Sequence, residues 1–169
     1  MARELKVSLA RESRFFGLAA YAREADVWLL QPQTYMNRSG QSVRALMQFY
    51  RLQPAEMLVV HDELDLAPGR LQLKFGGGLG GHNGLKDITA HLSTQDYWRL
   101  RVGIGHPGDR NEVANYVLKP ALRDEHEAID AALERALFVW PQLARAEFNA
   151  ATQKINTQPA KANKDKPKE

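Results

Sequence analysis

The sequence predicts a single α/β domain, with a mixed, mostly parallel sheet flanked by helices. Three observations carry that expectation. Met57 to Val60 ("MLVV") is a short continuous apolar run of the kind a buried strand uses. Leu71 to Phe75 and Trp98 to Ile104 alternate apolar and polar residues with a period of two, as half-exposed strands do. Between these two runs, Leu85, Ile88 and Leu92 recur at helical spacing. Strands that alternate with a helix in this way belong to α/β architectures.

Taken in order, Phe15 to Tyr21 ("FFGLAAY") and Val27 to Leu30 ("VWLL") read as strands, joined by the polar hairpin loop "AREAD". The broken polar stretch "QPQTYMNRSG" leads into a helix on which Val43, Leu46, Met47 and Tyr50 share a face, with Ser39 placed to cap it and Pro54 beyond its end. Met57 to Val60 is expected to be buried on both faces, with "HDELDL" at its carboxyl end. After the strand Leu71–Phe75 comes a glycine-dense loop, then a helix from Asn83 to Leu92, then the strand from Trp98. The turn "GHPGD", a short helix from Asn111 and a long one from Arg123 close the domain. Ile129, Leu133, Leu137 and Trp140 form the stripe of the long helix, and Pro141 is expected to kink or end it.

Composition narrows the class. The chain has 169 residues, 44% hydrophobic and 25% charged, which suits one globular domain. No apolar run approaches a membrane span, and "MARELKVSLARES" lacks the apolar core of a signal peptide. The absence of cysteine excludes disulfides and thiolate metal sites and fits a reducing cytoplasm. The five lysines after Thr152, set against Asp165 and Glu169, account for the whole net charge of +3. Residues 152–169 therefore read as a basic, disordered tail on a neutral domain of residues 1–151.

The loop "FGGGLGGHNGLKD" asks for an explanation, because ordering glycine is costly. Gly76, Gly78 and Gly81 match a dinucleotide fingerprint in spacing. The strand before them alternates, however, whereas that fingerprint follows a continuously apolar strand. No Gly-Lys-Ser/Thr follows for a P-loop. Two uses remain: backbone N–H groups at a helix start that receive an anion, and a main chain bare enough for a bulky ligand to lie on. "TYMNRSG", "HDELD" and "GGHNG" all lie at element ends, so Tyr35, Met36, Asn37, Asp62, His82 and Asn83 are candidates to line one cleft. Asp62, Glu63 and Asp65 with a histidine are a metal alternative, but a second ligand cluster is missing and no metal or other cofactor is expected. Asn37 and Asn83 could equally cap helices. Spacing alone singles out no nucleophile or base.

"YMNRSG", "HDELDLAPG", "KFGGGLGGHNGLKDI" and "WRLRVGIGHPGD", in this order, resemble the bacterial peptidyl-tRNA hydrolases over residues 4–150. The resemblance implies a monomeric, metal-free enzyme that cleaves the ester between a peptide and the 3′ end of tRNA. It implies contacts to the tRNA end and the peptide from Tyr35, Asn37 and Asn83, with Met36 beside them. Asp62 is implied as the carboxylate that orients the catalytic histidine, His82 as a cleft residue that helps position substrate or water, and Lys74 and Arg101 as partners of tRNA phosphate. Histidine titrates near neutrality and suits activation of water, and a carboxylate on its imidazole fixes the tautomer.

The family pattern opens with a buried strand, an Asn-Pro-Gly loop and a Thr-Arg-His-Asn segment whose histidine is the base. Neither motif occurs in these 169 residues, whose histidines are His61, His82, His91, His106 and His126. The expectation is a domain lacking that interior strand and that base, marginally folded and with little hydrolase activity. One alternative is a catalytically dead module that holds tRNA ends. Another is a hydrolase with His82 as base, which requires it within about 3 Å of Asp62.

Overall fold

The computed structural model describes residues 1–145 and 147–157. The first third folds into an antiparallel sheet of β1 (Ala10–Glu12), β2 (Gly17–Ala22) and β3 (Val27–Pro32), paired in sequence order. Both connections are single 3-10 turns that end in a left-handed residue, Phe16 at φ 51° and Asp26 at φ 50°. The second is the expected "AREAD" hairpin, closed by the Tyr21 hydroxyl donating to Asp26 at 2.7 Å. Phe15 is 1% exposed and packs with Ala19, Leu46, Trp28 and Tyr50, so this sheet is held to helix α1 (Ser39–Tyr50) by aromatic side chains.

Ser39 does not cap α1. It is the first helical residue, and its hydroxyl donates back to the Met36 carbonyl. The cap comes from 47 residues away: the Asp87 carboxylate accepts the Gly40 N–H at 2.7 Å, tying α1 to α2 (Asn83–Leu92).

The second sheet has the order β4 (Leu58–Glu63), β6 (Trp98–Gly103), β5 (Leu71–Phe75). Only β4 and β6 run parallel; β5 is antiparallel to β6, as are all pairs of the first sheet. The sheets are mixed, as expected, but not mostly parallel. The apolar run that predicted a strand buried on both faces is not so buried: Val60, in the middle of β4, is 57% exposed, and among the described residues β4 pairs with β6 alone. Leu71, Leu73, Leu100 and Val102 pack against α4 (Arg123–Ala144) and α5 (Phe148–Asn156). On the other side Val43, Met47, Leu85, Ile88 and Tyr97 join α1 and α2 into a second cluster.

The short helix α3 (Val113–Tyr116) follows a 3-10 turn, Arg110–Glu112. Pro141 does not end α4; it sits in the last turn of a helix that continues to Ala144. Residues 152–156 are not tail. They belong to α5, where Ala151 and Ile155 are buried and the Asn156 amide accepts from Leu73 N–H at 2.8 Å and donates to its carbonyl at 3.3 Å. The rest of the expected tail, residues 158–169, lies outside the described residues.

Candidate active site

Strand β4 delivers three consecutive polar residues, His61, Asp62 and Glu63, at its carboxyl end. The glycine loop leads from β5 to α2 and brings His82 onto Asp62, with Nε2 3.1 Å from Oδ1. His82 is also the N-cap of α2: its Nδ1 accepts the N–H groups of Gly84 at 3.1 Å and Leu85 at 3.2 Å. Those two donors require a lone pair on Nδ1, so the ring proton is on Nε2 and is donated to Asp62. Both nitrogens are in use. The His82 hydrogen bond, against the opposing effect of burial, holds the Asp62 carboxyl below the usual aspartate range. Its side chain is 38% exposed.

His61 sits edge-on to His82, ring centroids 5.1 Å apart. Its Nδ1 lies 2.7 Å from the Asp62 carbonyl, which can only accept, so Nδ1 carries the proton. Nε2 is enclosed and has no partner. Burial lowers the His61 pKa and keeps the ring neutral.

Beside them lies an ion pair under partial cover. Arg101 Nε donates to Glu63 at 2.7 Å, and a second guanidinium N–H donates to the Gln72 side chain. Glu63 also accepts the Asp65 N–H at 3.2 Å. Burial alone would raise the Glu63 pKa; Arg101 and the Asp65 amide bring it below the usual range. Arg101 is thus engaged by neighbouring side chains, whereas Lys74 is exposed and lies against the glycine loop. Asp62 and Glu63, considered together as metal ligands, turn to different partners.

The turn Met36–Arg38 completes the wall. Met36 packs on the start of α2 so closely that a Cβ on Gly84 would lie 2.6 Å from its sulfur. Glycine at 84 is what permits this approach. Tyr35 is 81% exposed, and Asn37 and Asn83 are exposed next to Met36 and His82. A concavity of about 450 Å³ lined by Gln33, Thr34, Tyr35, Arg38 and Gln41 opens beside this turn. The structure therefore brings Met36, Asp62, His82 and Gly84 into contact, with Asn37 and Asn83 on the adjoining residues. Sequence reasoning passed over His61 and Arg99. The available signal was "RLRV", which puts two arginines on one face of a strand whose other face is apolar.

A family model described as peptidyl-tRNA hydrolase matches residues 1–165. The chain is 69% identical over 160 residues to the peptidyl-tRNA hydrolase of Aromatoleum aromaticum, covering 95% of this chain and 82% of that one. It is 68% identical to that of an Azoarcus species, covering 95% and 73%. Among solved structures, a complex of peptidyl-tRNA hydrolase with N-propanol superposes with a TM-score of 0.89 at 41% identity, over 94% of this chain and 82% of that one. The enzyme from Acinetobacter baumannii gives 0.88 at 42% identity, over 92% and 80%. None of these matches supports the expected loss of a first strand and a base-bearing segment.

Proposed function

The chain belongs to the peptidyl-tRNA hydrolase family, and from that premise we propose how its cleft divides the work of cleaving the ester between peptide and tRNA. Asp62 is the orienting carboxylate. The observation that carries this is the hydrogen bond from His82, which engages Oδ1 and leaves Oδ2 to receive the N–H of a catalytic imidazole. His82 acts by holding Asp62, not by taking a proton, because its only lone pair is occupied by the N-terminus of α2. The exposed amides of Asn37 and Asn83 offer donors and acceptors to the acylated RNA end, with Tyr35 and Met36 as the apolar wall. Lys74 presents its ammonium to tRNA phosphate, and Arg101 adds charge from the layer beneath.

The base itself is not one of the described histidines near Asp62. His82 has no free lone pair, and the His61 lone pair is enclosed. The open edge of β4 and exposed Val60 support a further strand at that edge, with the base on the segment that follows it. The enzyme works as a monomer in the cytoplasm, where tRNA is charged and used.

The experiment compares this 169-residue chain with the Aromatoleum aromaticum relative. Release of tRNA from N-acetylaminoacyl-tRNA and binding of a non-cleavable, amide-linked analogue are both measured. The expected result is binding within about tenfold of the relative and release at least about 100-fold slower, the scale of a lost general base. Equal release rates would remove the proposal of a base beyond these residues and leave the substrate in place. Failure to bind the acylated end would overturn the substrate reading for this cleft.

A further inference from the structure

Arg99 is the second residue of β6, opposite Val59 on one neighbour and Lys74 on the other, and is only 2% exposed. Among the described residues it pairs with no carboxylate. Its guanidinium donates instead to two carbonyls of the glycine loop, Gly78 at 2.8 Å and Gly76 by a shorter contact. A buried arginine spent on neutral carbonyls fixes whatever carries them. Here that is a segment with little stiffness of its own, since Gly76 and Gly77 have φ of 59° and 88°. A Cβ at Gly77 would fall 2.8 Å from the Lys74 ammonium end and 3.1 Å from Arg99, so the loop is drawn tightly over both cations.

The consequence follows from peptide planarity. In a trans peptide the C=O and the next N–H point in opposite directions. With the carbonyls of Gly76 and Gly78 turned in to Arg99, the N–H groups of Gly77 and Leu79 are turned away from it. Neither donates to any group among the described residues. Gly77 and Gly78 are exposed, and a Cβ on Gly78 would meet nothing within 4 Å. The loop thus offers two outward donors on an open main chain, braced from behind by a cation.

We propose that Arg99 is a positioning residue: by clamping the Gly76 and Gly78 carbonyls it presents the Gly77 and Leu79 amides as a donor pair to an acceptor oxygen of the acylated RNA end. This rests on the substrate reading above. Arg99 does not touch substrate, and its charge acts through the loop.

The test is a ¹H–¹⁵N NMR titration of the full chain with the amide-linked aminoacyl-adenosine analogue, on the parent, Arg99→Lys and Arg99→Gln. In the parent, the Gly77 and Leu79 amides are expected to shift downfield on saturation. Arg99→Lys can reach one carbonyl but not both. It is expected to keep the parent's melting temperature within a few degrees while shifting both amides in the free protein and weakening binding at least about tenfold. Arg99→Gln should weaken it at least as much. If the analogue shifts Asn37 and Asn83 but leaves Gly77 and Leu79 unmoved in the parent, the proposal is wrong and the substrate reading survives; this comparison needs no variant to fold. Unchanged affinity in a folded Arg99→Lys would also overturn it. No binding by the parent would fail both.

Discussion

The two faces of strand β6 divide the molecule's work. Leu100 and Val102 point into the apolar cluster shared with α4 and α5, where their side-chain contacts are non-directional. Arg99 and Arg101, one residue out of phase, are committed to Gly76, Gly78, Glu63 and Gln72. The first face tolerates exchange of one hydrocarbon for another of similar volume. The second does not, because Glu63 and the Gly76 carbonyl would be left covered and without a partner. A strand with period two therefore carries fold on one side and site on the other, and substitutions on the two sides should fail in different ways.

The largest effect is expected on the apolar face. Leu73 of the adjacent strand β5 packs into the same cluster and is 1% exposed, and Leu73→Ala should cost about 3 kcal/mol in denaturant unfolding. Affinity for the acylated analogue should stay within twofold of the parent. A comparable loss of affinity without loss of stability would abolish the contrast between the faces. On the polar face, Arg101→Met strands Glu63, whose side chain is 11% exposed, and should cost about 2 kcal/mol of stability, less than for a fully buried pair. The double change Arg101→Met with Glu63→Leu should recover most of it, which a thermal melt will show.

His82 separates two roles in one side chain. His82→Ala removes the α2 cap and should cost about 1 kcal/mol. His82→Asn restores a capping oxygen but cannot reach Asp62, so it should recover stability without restoring the low Asp62 pKa, as read by carboxyl ¹³C shifts against pH. Because that pKa is depressed in the folded state, the stability it confers is present above the ordinary aspartate value and lost as pH falls through the folded one. In His82→Asn that acid-side loss should shrink, because the gap between the folded and unfolded Asp62 pKa that drives it is largely closed.

The smallest effect concerns His61. Burial depresses its pKa below 6.5, so the unfolded chain binds the proton first as pH falls. Stability should decline from about pH 6.5 downward, and His61→Phe should flatten that part of the profile.

Much of this was legible in the sequence, and the part that was not has a common cause. Helix α2 and strand β6 were readable because their periodicity is local. So was the convergence of Met36, Asp62 and His82, since their segments fall at element ends. The cap on α1 was misassigned to Ser39 because the group that makes it, Asp87, is distant in sequence. Residues 152–156 of α5 were read as tail because the packing of that helix rests on Ala151, Ile155 and one asparagine bonded to β5, which look unremarkable among polar residues. "MLVV" was read as doubly buried because an apolar run cannot say whether both neighbours are present. Arg101 was expected, through the family resemblance, to meet tRNA phosphate; its bonds to Glu63 and Gln72 were not visible because those partners stand on the neighbouring strands.

The tautomer of His82 tests the central claim most directly, since the assignment of Asp62 depends on which nitrogen holds the proton. Ring ¹⁵N NMR at pH 7 should show a protonated Nε2 and an unprotonated Nδ1 in the free enzyme, with both signals altered in Asp62→Asn. A protonated Nδ1, or a ring averaging between the two tautomers, would contradict a histidine whose nitrogens are both committed to the scaffold.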